Sequence, residues 1–134
     1  MICLDTTVLI DEFRAKGSPD APVNRALLSR RGESCIVPVI AAGEFLDGAS
    51  MISEERFQQA ILWFRTRKVV PVTFETAAGY GRIVSFLRKN ARLSGPSQND
   101  VWIAANAKEH GAMLMTRNPK DFESIPGLEV IGYD

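Results

Sequence analysis

The sequence predicts an α/β fold in which helices cover a parallel sheet on both faces. Short apolar segments alternate with longer stretches of helical periodicity, and strands that are separated by helices are typical of parallel sheets. Turn and cap residues such as Gly32, Ser53 and Gly111 mark helix ends. Because crossovers between parallel strands are right-handed, we expect the helices to pack back onto the sheet.

The individual elements follow from these patterns. The predicted strands cover residues 2–4, 34–37, 69–72, 112–115 and 128–131. Predicted helices run through residues 8–13 and over 20–31, 38–48, 53–67, 75–92 and 99–110, and residues 93–98 are predicted as a loop. The length of 134 residues suits a single domain, 1–134, whose core needs neither a disulfide nor a metal.

Charge and hydropathy argue against several classes of protein. The 16 basic and 16 acidic residues cancel, so net charge does not by itself indicate a nucleic-acid partner. No apolar segment approaches the roughly 18 residues of a membrane span. The acidic start of the chain makes a poor signal peptide. Cys3 and Cys35 lie in apolar segments, which predicts two buried thiols in a cytoplasmic protein.

Polar side chains follow two of the predicted strands at the points where those strands end. Asp5 comes directly after the first strand, and Asn118 and Asp121 lie just past the fourth. In open parallel sheets, ligands bind beyond the carboxyl ends of the strands. The sequence therefore predicts that these residues meet at one edge of the sheet.

Two further carboxylates stand in unusually apolar helices. Glu44 shares a helix face with Ile40, which predicts a carboxylate directed along a buried stripe. The alternative is a helix that brings Glu44 to the edge of the sheet, where it pairs with an arginine. Asp100 heads the apolar face that contains Ile103, although the helix dipole also favours an acid in the first turn. Buried carboxylates are usually paired or bound to a cation.

The types of donor predict a hard divalent cation at this edge. Close carboxylates raise one another's pKa unless a cation neutralises them. Oxygen ligands favour Mg²⁺ or Mn²⁺ over Zn²⁺, and the single histidine, His110, stands at a helix end. Such a cation suits phosphate chemistry, because it polarises a phosphoryl oxygen and acidifies a bound water.

Four segments resemble, in order, the motifs of PIN domains. They are LDTTVLI at 4–10, PVIAAGEFL at 38–46, NDVWIAANA at 99–107 and MTRNPKDFESIPGL at 115–128. The last is similar to the closing motif of VapC-type toxins. The resemblance runs over essentially the whole chain, and it implies a three-layer α/β/α sandwich with a five-stranded parallel sheet that usually dimerises.

The resemblance also implies an activity and its partners. The expected protein is an Mg²⁺- or Mn²⁺-dependent endoribonuclease, the toxin of a type II toxin–antitoxin pair, restrained by a VapB-type antitoxin. Its expected substrate is RNA, usually a transfer RNA. Hydrolysis by an activated water leaves a 5′ phosphate and a 3′ hydroxyl.

The site residues implied by the resemblance can be placed one by one. Asp5, Glu44 and Asp100 match the family's first three acids. Where the family often has a fourth Asp, this chain has Asn118, whose amide oxygen can ligate a cation without adding charge. Asp121 is the candidate for the missing carboxylate, and the presence of a second cation stays open. The predicted site therefore comprises the catalytic and metal-binding acids Asp5, Glu44, Asp100 and Asp121, with Thr6, Thr116 and Asn118 in supporting positions.

In the resulting hypothesis, Asp5 and Asp100 anchor the first cation, and Glu44 completes the cluster or acts as base on the attacking water. Arg82 or Arg117 would stabilise the developing negative charge. An inert PIN-fold binding module is one alternative, against which the presence of the three acids argues. A receiver-like signalling domain is another, but no aspartate follows the third strand.

Overall fold

The computed structural model describes residues 1–90 and 95–133. Five parallel strands form a single sheet in the order β3-β2-β1-β4-β5. The strands are β1 (Ile2–Leu4), β2 (Cys35–Pro38), β3 (Val69–Val70), β4 (Met113–Met115) and β5 (Val130–Ile131). The predicted five-stranded parallel sheet is confirmed.

Helices fill the connections between the strands. They are α1 (Thr6–Ala15), α2 (Pro22–Ser29), α3 (Val39–Ile52), α4 (Glu54–Phe64), α5 (Phe74–Lys89) and α6 (Gln98–Glu109), followed by a 3₁₀ turn at Pro119–Phe122. Helix α1 packs against α2 and α3, α3 also contacts α4 and α6, and α5 packs along α6. None of the helices in the described ranges has the length and apolar character that crossing a bilayer requires.

The central strand β1 shows why both faces of the sheet must be covered. Ile2, Cys3 and Leu4 are each at most 1% exposed. Because successive side chains of a strand point to opposite faces, this burial requires packing on both sides. Cys35 on the neighbouring strand is only partly buried, which corrects the prediction of two buried thiols, and both thiols are free.

The apolar core is extended by an aromatic cluster between α1, α3 and α4. Phe13 makes edge contacts with Phe45 and Trp63, and Phe64 makes edge contacts with the same two rings, at centroid distances of 5.2–5.3 Å. Offset and edge-to-face aromatic pairs stabilise beyond their buried area. This cluster fixes α3 against α1, and therefore sets where the side chains of α3 reach the carboxyl edge of the sheet.

Several predicted boundaries are wrong in detail. Helix α3 continues through Gly48 to Ile52, because the buried Ala49 on its next turn still packs against the core. Strands β3 and β5 pair over two residues each rather than four, and the sequence analysis assigned no element to the 3₁₀ turn at Pro119–Phe122. The predicted end of α5, residues 91 and 92, and the first two residues of the predicted loop, 93 and 94, lie outside the described ranges.

Candidate active site

Asp5 occupies the carboxyl end of the central strand and directly precedes α1. It is 4% exposed, and its Oδ2 accepts hydrogen bonds from the hydroxyls of Thr7 (2.9 Å) and Thr116 (2.8 Å). Burial raises the pKa of Asp5 above its ordinary value against the opposing effect of these hydroxyls, and the Glu44 carboxylate raises it further. A neighbouring cation would stabilise the ionised form of such a buried carboxylate.

Glu44 lies on the exposed side of α3, so the predicted burial of its carboxylate is wrong. The buried face of α3 contains Ala41 and Phe45, and Glu44 projects beside it toward the start of two other helices. Its Oε1 accepts a hydrogen bond from the hydroxyl of Thr6 (2.6 Å), and its Oε2 accepts one from the side-chain amide of Asn99 (3.2 Å). The helix thus brings Glu44 to the edge, but its partners are a hydroxyl and an amide rather than an arginine.

Asp100 is half-buried in the first turn of α6. Its Oδ2 accepts the backbone N–H of Ser97 (3.1 Å), and its own N–H donates to the Ser97 hydroxyl (3.1 Å), which makes a reciprocal capping box. Burial is the main cause of a raised pKa at Asp100, and the carboxylates of Asp5 and Asp121 raise it further. Asp100 therefore caps the helix and also interacts electrostatically with Asp5.

The segment after β4 carries the remaining predicted residues. Thr116 is fully buried beside Asp5, and its hydroxyl accepts the backbone N–H of Asn118 (3.1 Å). Asn118 and Asp121 are exposed. Asp121 lies in the 3₁₀ turn, and its charge acts on Asp100. Asn118 thus reaches the site through its main chain.

The four acids interact electrostatically at one edge of the sheet without enclosing a common centre. In residues 1–90 and 95–133, no three His, Cys, Asp or Glu side chains are close enough together to hold a metal ion between them. The carboxylates nevertheless raise the pKa of Asp5 and Asp100, and the surrounding donors are hydroxyls and amides. Carboxylate oxygens under mutual repulsion fit a hard divalent cation, which neutralises that repulsion.

The sequence analysis did not predict a role for two polar residues at this edge. Thr7 donates to Asp5, and Asn99 donates to Glu44. Their positions in the sequence could have indicated this role, because Thr7 follows the candidate acid Asp5 by two residues and Asn99 directly precedes Asp100. Arg117, a candidate for stabilising negative charge, instead binds Asp11 at 2.6 Å.

Comparison with known proteins identifies the family. The PIN domain model matches residues 2–128. The chain belongs to the PIN-domain family. Ribonuclease VapC1 of Rickettsia felis is 31% identical to it, over 97% of this chain and 94% of that protein. The tRNA(fMet)-specific endonuclease VapC of Shigella flexneri is 28% identical, over 93% of this chain and 92% of that protein.

Two solved structures contain chains with the same fold. One is VapBC2 from Rickettsia felis, whose crystal structure includes a DNA fragment from the VapBC2 promoter. A chain of that structure aligns over 100% of both chains, with a TM-score of 0.82 and 23% identity. A toxin–antitoxin complex from Klebsiella pneumoniae contains a chain with a TM-score of 0.71 and 27% identity, covering 98% of this chain and 96% of that one. PIN-domain membership excludes the receiver-like alternative and confirms the predicted α/β/α fold.

Proposed function

We propose that this protein is a divalent-metal-dependent endoribonuclease and the toxin of a type II toxin–antitoxin pair. The observation that carries the proposal is the buried Asp5 at the end of the central strand, whose charge acts on Asp100 across the same edge. Family membership supports the activity, because relatives of similar length are named as a ribonuclease and an endonuclease.

Mg²⁺ or Mn²⁺ is the proposed cofactor. PIN-domain ribonucleases generally depend on a divalent metal, and oxygen donors suit such a cation. Asp5 and Asp100 would hold it, with Glu44 and Asp121 supplying the exposed carboxylates nearby. When bound, the cation supplies polarisation of a phosphoryl oxygen and a lowered pKa for a coordinated water.

The chain's own residues supply positioning and proton transfer in this proposal. Thr6 and Asn99 hold the exposed Glu44 carboxylate at the edge of the sheet, where it can accept the proton of the attacking water. Water then displaces the 3′ oxygen of the phosphodiester in line, and the departing oxygen takes up a proton from a solvent water molecule. The products are a 5′ phosphate and a 3′ hydroxyl. Thr116 keeps Asp5 in place during this displacement.

The proposed partners follow from the proteins that this chain resembles. A VapB-type antitoxin is proposed because a similar chain belongs to a toxin–antitoxin complex. Transfer RNA is proposed as substrate because a similar protein is a tRNA(fMet)-specific endonuclease. We further propose that the chain forms one domain, 1–134, that it is a homodimer, and that it acts in the cytoplasm, where transfer RNA is found.

Incubation of the purified protein with transfer RNA tests the proposal. The wild-type chain should cleave in Mg²⁺ and stop when EDTA is added, whereas Asp5→Asn should not cleave although it folds, as judged by circular dichroism. Asp20→Asn, which changes an exposed acid in the turn before α2, is the matched control and should cleave normally. A wild-type chain that binds the RNA without cutting it would favour the inert binding module.

A further inference from the structure

Two residues of α1 contact the same residue of the segment after β4. Thr7 and Asp11 stand one helical turn apart, and therefore on one face of the helix. The Thr7 hydroxyl oxygen accepts the backbone N–H of Arg117 (3.0 Å), and Asp11 Oδ1 accepts the Arg117 guanidinium (2.6 Å). The other oxygen of Asp11 accepts the hydroxyl of Tyr133 (2.6 Å). Arg117 is thus held through both its main chain and its side chain.

The main-chain contact continues to Asp5. A hydroxyl has one proton to donate, and the Thr7 proton goes to Asp5 Oδ2 while its oxygen accepts the Arg117 N–H. Thr116 repeats this pattern: its hydroxyl donates to the same Oδ2 and accepts the N–H of Asn118. Two consecutive peptide N–H groups are therefore connected through two hydroxyls to a single carboxylate oxygen.

We propose that Thr7 and Asp11 are positioning residues that hold the segment from Thr116 to Asp121 against Asp5. The catalytic consequence of this role rests on the proposed nuclease function, whereas the structural role does not. The Thr116 hydroxyl connects the segment to Asp5 at one point. The bonds from Thr7 and Asp11 to Arg117 add two further points of attachment, four residues before Asp121, whose 3₁₀ turn is held at its other end by the buried Phe122.

The strength of this attachment depends mainly on Thr7. The Arg117 side chain is 44% exposed, and an ion pair at such exposure contributes little by itself. Thr7 is half-buried, and its hydroxyl satisfies two partners at once. Valine at this position would keep the shape of threonine and remove both hydrogen bonds, which leaves the Arg117 N–H without an acceptor.

Amide hydrogen exchange of the metal-free protein, followed by NMR, tests the attachment without reference to activity. In Thr7→Val we expect the Arg117 amide to exchange roughly tenfold faster than in the wild type, and in Thr7→Ser to stay within about twofold. Glu12→Gln is the control. Glu12 lies on the same helix as Thr7, and its replacement breaks an ion pair with Arg67 without touching Arg117. Unchanged exchange at Arg117 in Thr7→Val overturns the proposal. If Thr7→Val does not fold, Thr7→Ala replaces it, because it also removes the hydroxyl that accepts the Arg117 N–H; faster exchange at Arg117 is expected, and unchanged exchange overturns the proposal.

Cleavage of transfer RNA in Mg²⁺ tests the consequence for the site. Thr7→Val should lower kcat by roughly 10- to 100-fold with little change in KM, and Thr7→Ser should restore it. Wild-type kcat in Thr7→Val overturns the positioning role and leaves the proposed function standing. If the wild-type chain itself does not cleave, the proposed function fails, and the exchange measurement still decides whether Thr7 holds the segment.

Discussion

Thr116 donates a 2.8 Å hydrogen bond to Asp5, a residue 111 positions earlier in the chain. The contact exists because β4 pairs in parallel with β1, with Met115 opposite Leu4, so the residues that follow each strand emerge side by side. Asp5 also donates its backbone N–H to the carbonyl of Met115 (3.0 Å). The stability of the sheet and the geometry of the candidate site are therefore coupled at this point.

Replacement of Thr116 by valine should affect both stability and activity. The change keeps the side-chain shape but removes a buried donor to Asp5 and an acceptor for the Asn118 N–H. We expect the free energy of unfolding to fall by about 1–3 kcal/mol, with a clear loss of cleavage. Urea denaturation and a cleavage assay on the same preparation measure the two effects.

Thr76→Val is the matched control for that change. Thr76 is also fully buried, and its hydroxyl donates to Glu109 (2.6 Å), where α5 meets the end of α6. A comparable loss of stability is expected, because the buried hydrogen bond is similar. Cleavage should be retained, and an equal loss of cleavage in both variants would show that Thr116 acts only through stability.

Glu44→Gln should remove activity without destabilising the protein. Glu44 is exposed, and a glutamine can still accept the Thr6 hydroxyl, so the free energy of unfolding should change by less than about 0.5 kcal/mol. Loss of a general base should lower kcat by roughly 10²- to 10⁴-fold. Asp47→Asn, which changes an exposed acid on the same helix, should be neutral in both assays. A Glu44→Gln variant with normal kcat would remove Glu44 from the proposed mechanism.

The metal-free protein should become less stable as the pH rises through the titration of Asp5. Burial raises the pKa of Asp5 above its ordinary value of 3.8, so the folded state holds this proton more tightly than the unfolded state does. The contribution is fully present below pH 3.8 and is lost as the pH rises toward the pKa of the folded state. The Asp5→Asn variant has no titratable carboxyl group at this position, so it lacks this pH-dependent contribution to stability.

Urea denaturation in EDTA between about pH 4 and pH 7 measures this effect as a difference between variants. The stability of Asp5→Asn relative to the wild type should increase with pH until the pH passes the raised pKa of Asp5 in the folded state, and should then level off. Asp100→Asn should change in the same direction, because burial raises the pKa of Asp100 as well. A relative stability that decreases with rising pH would contradict the raised pKa of Asp5.

Removal of divalent cations should abolish cleavage and leave the fold intact. The core consists of buried apolar side chains. Cys3 and Cys35 are free thiols, so these two residues form no disulfide that would hold the strands together. Mg²⁺ at a hundred times its dissociation constant should add about 2.7 kcal/mol to the free energy of unfolding. Thermal denaturation with and without Mg²⁺ measures this gain, and Asp5→Asn should lose most of it. An undiminished gain in Asp5→Asn would place the bound cation elsewhere.

Local sequence signals were sufficient for the elements that position the site. The apolar run before Asp5 predicted β1 at its observed bounds, and the predicted loop 93–98 together with Gly111 placed α6 within one residue at each end. The position of Asp5 beyond a strand end followed from the same pattern. These features depend on neighbours within one or two helical turns, which is the range over which caps, turns and periodicity act.

Features that depend on distant residues were decided by the tertiary structure alone. Periodicity placed Glu44 on a buried stripe, but α3 is apolar on several sides, and only its packing through Phe45 against Phe13 determines which side faces solvent. The bond from the Arg117 N–H to Thr7 joins residues 110 positions apart. The sequence by itself thus determined the order of the elements and the identity of the acids, whereas the packing of helices against the sheet decided which of those acids are buried and which hydroxyls hold them.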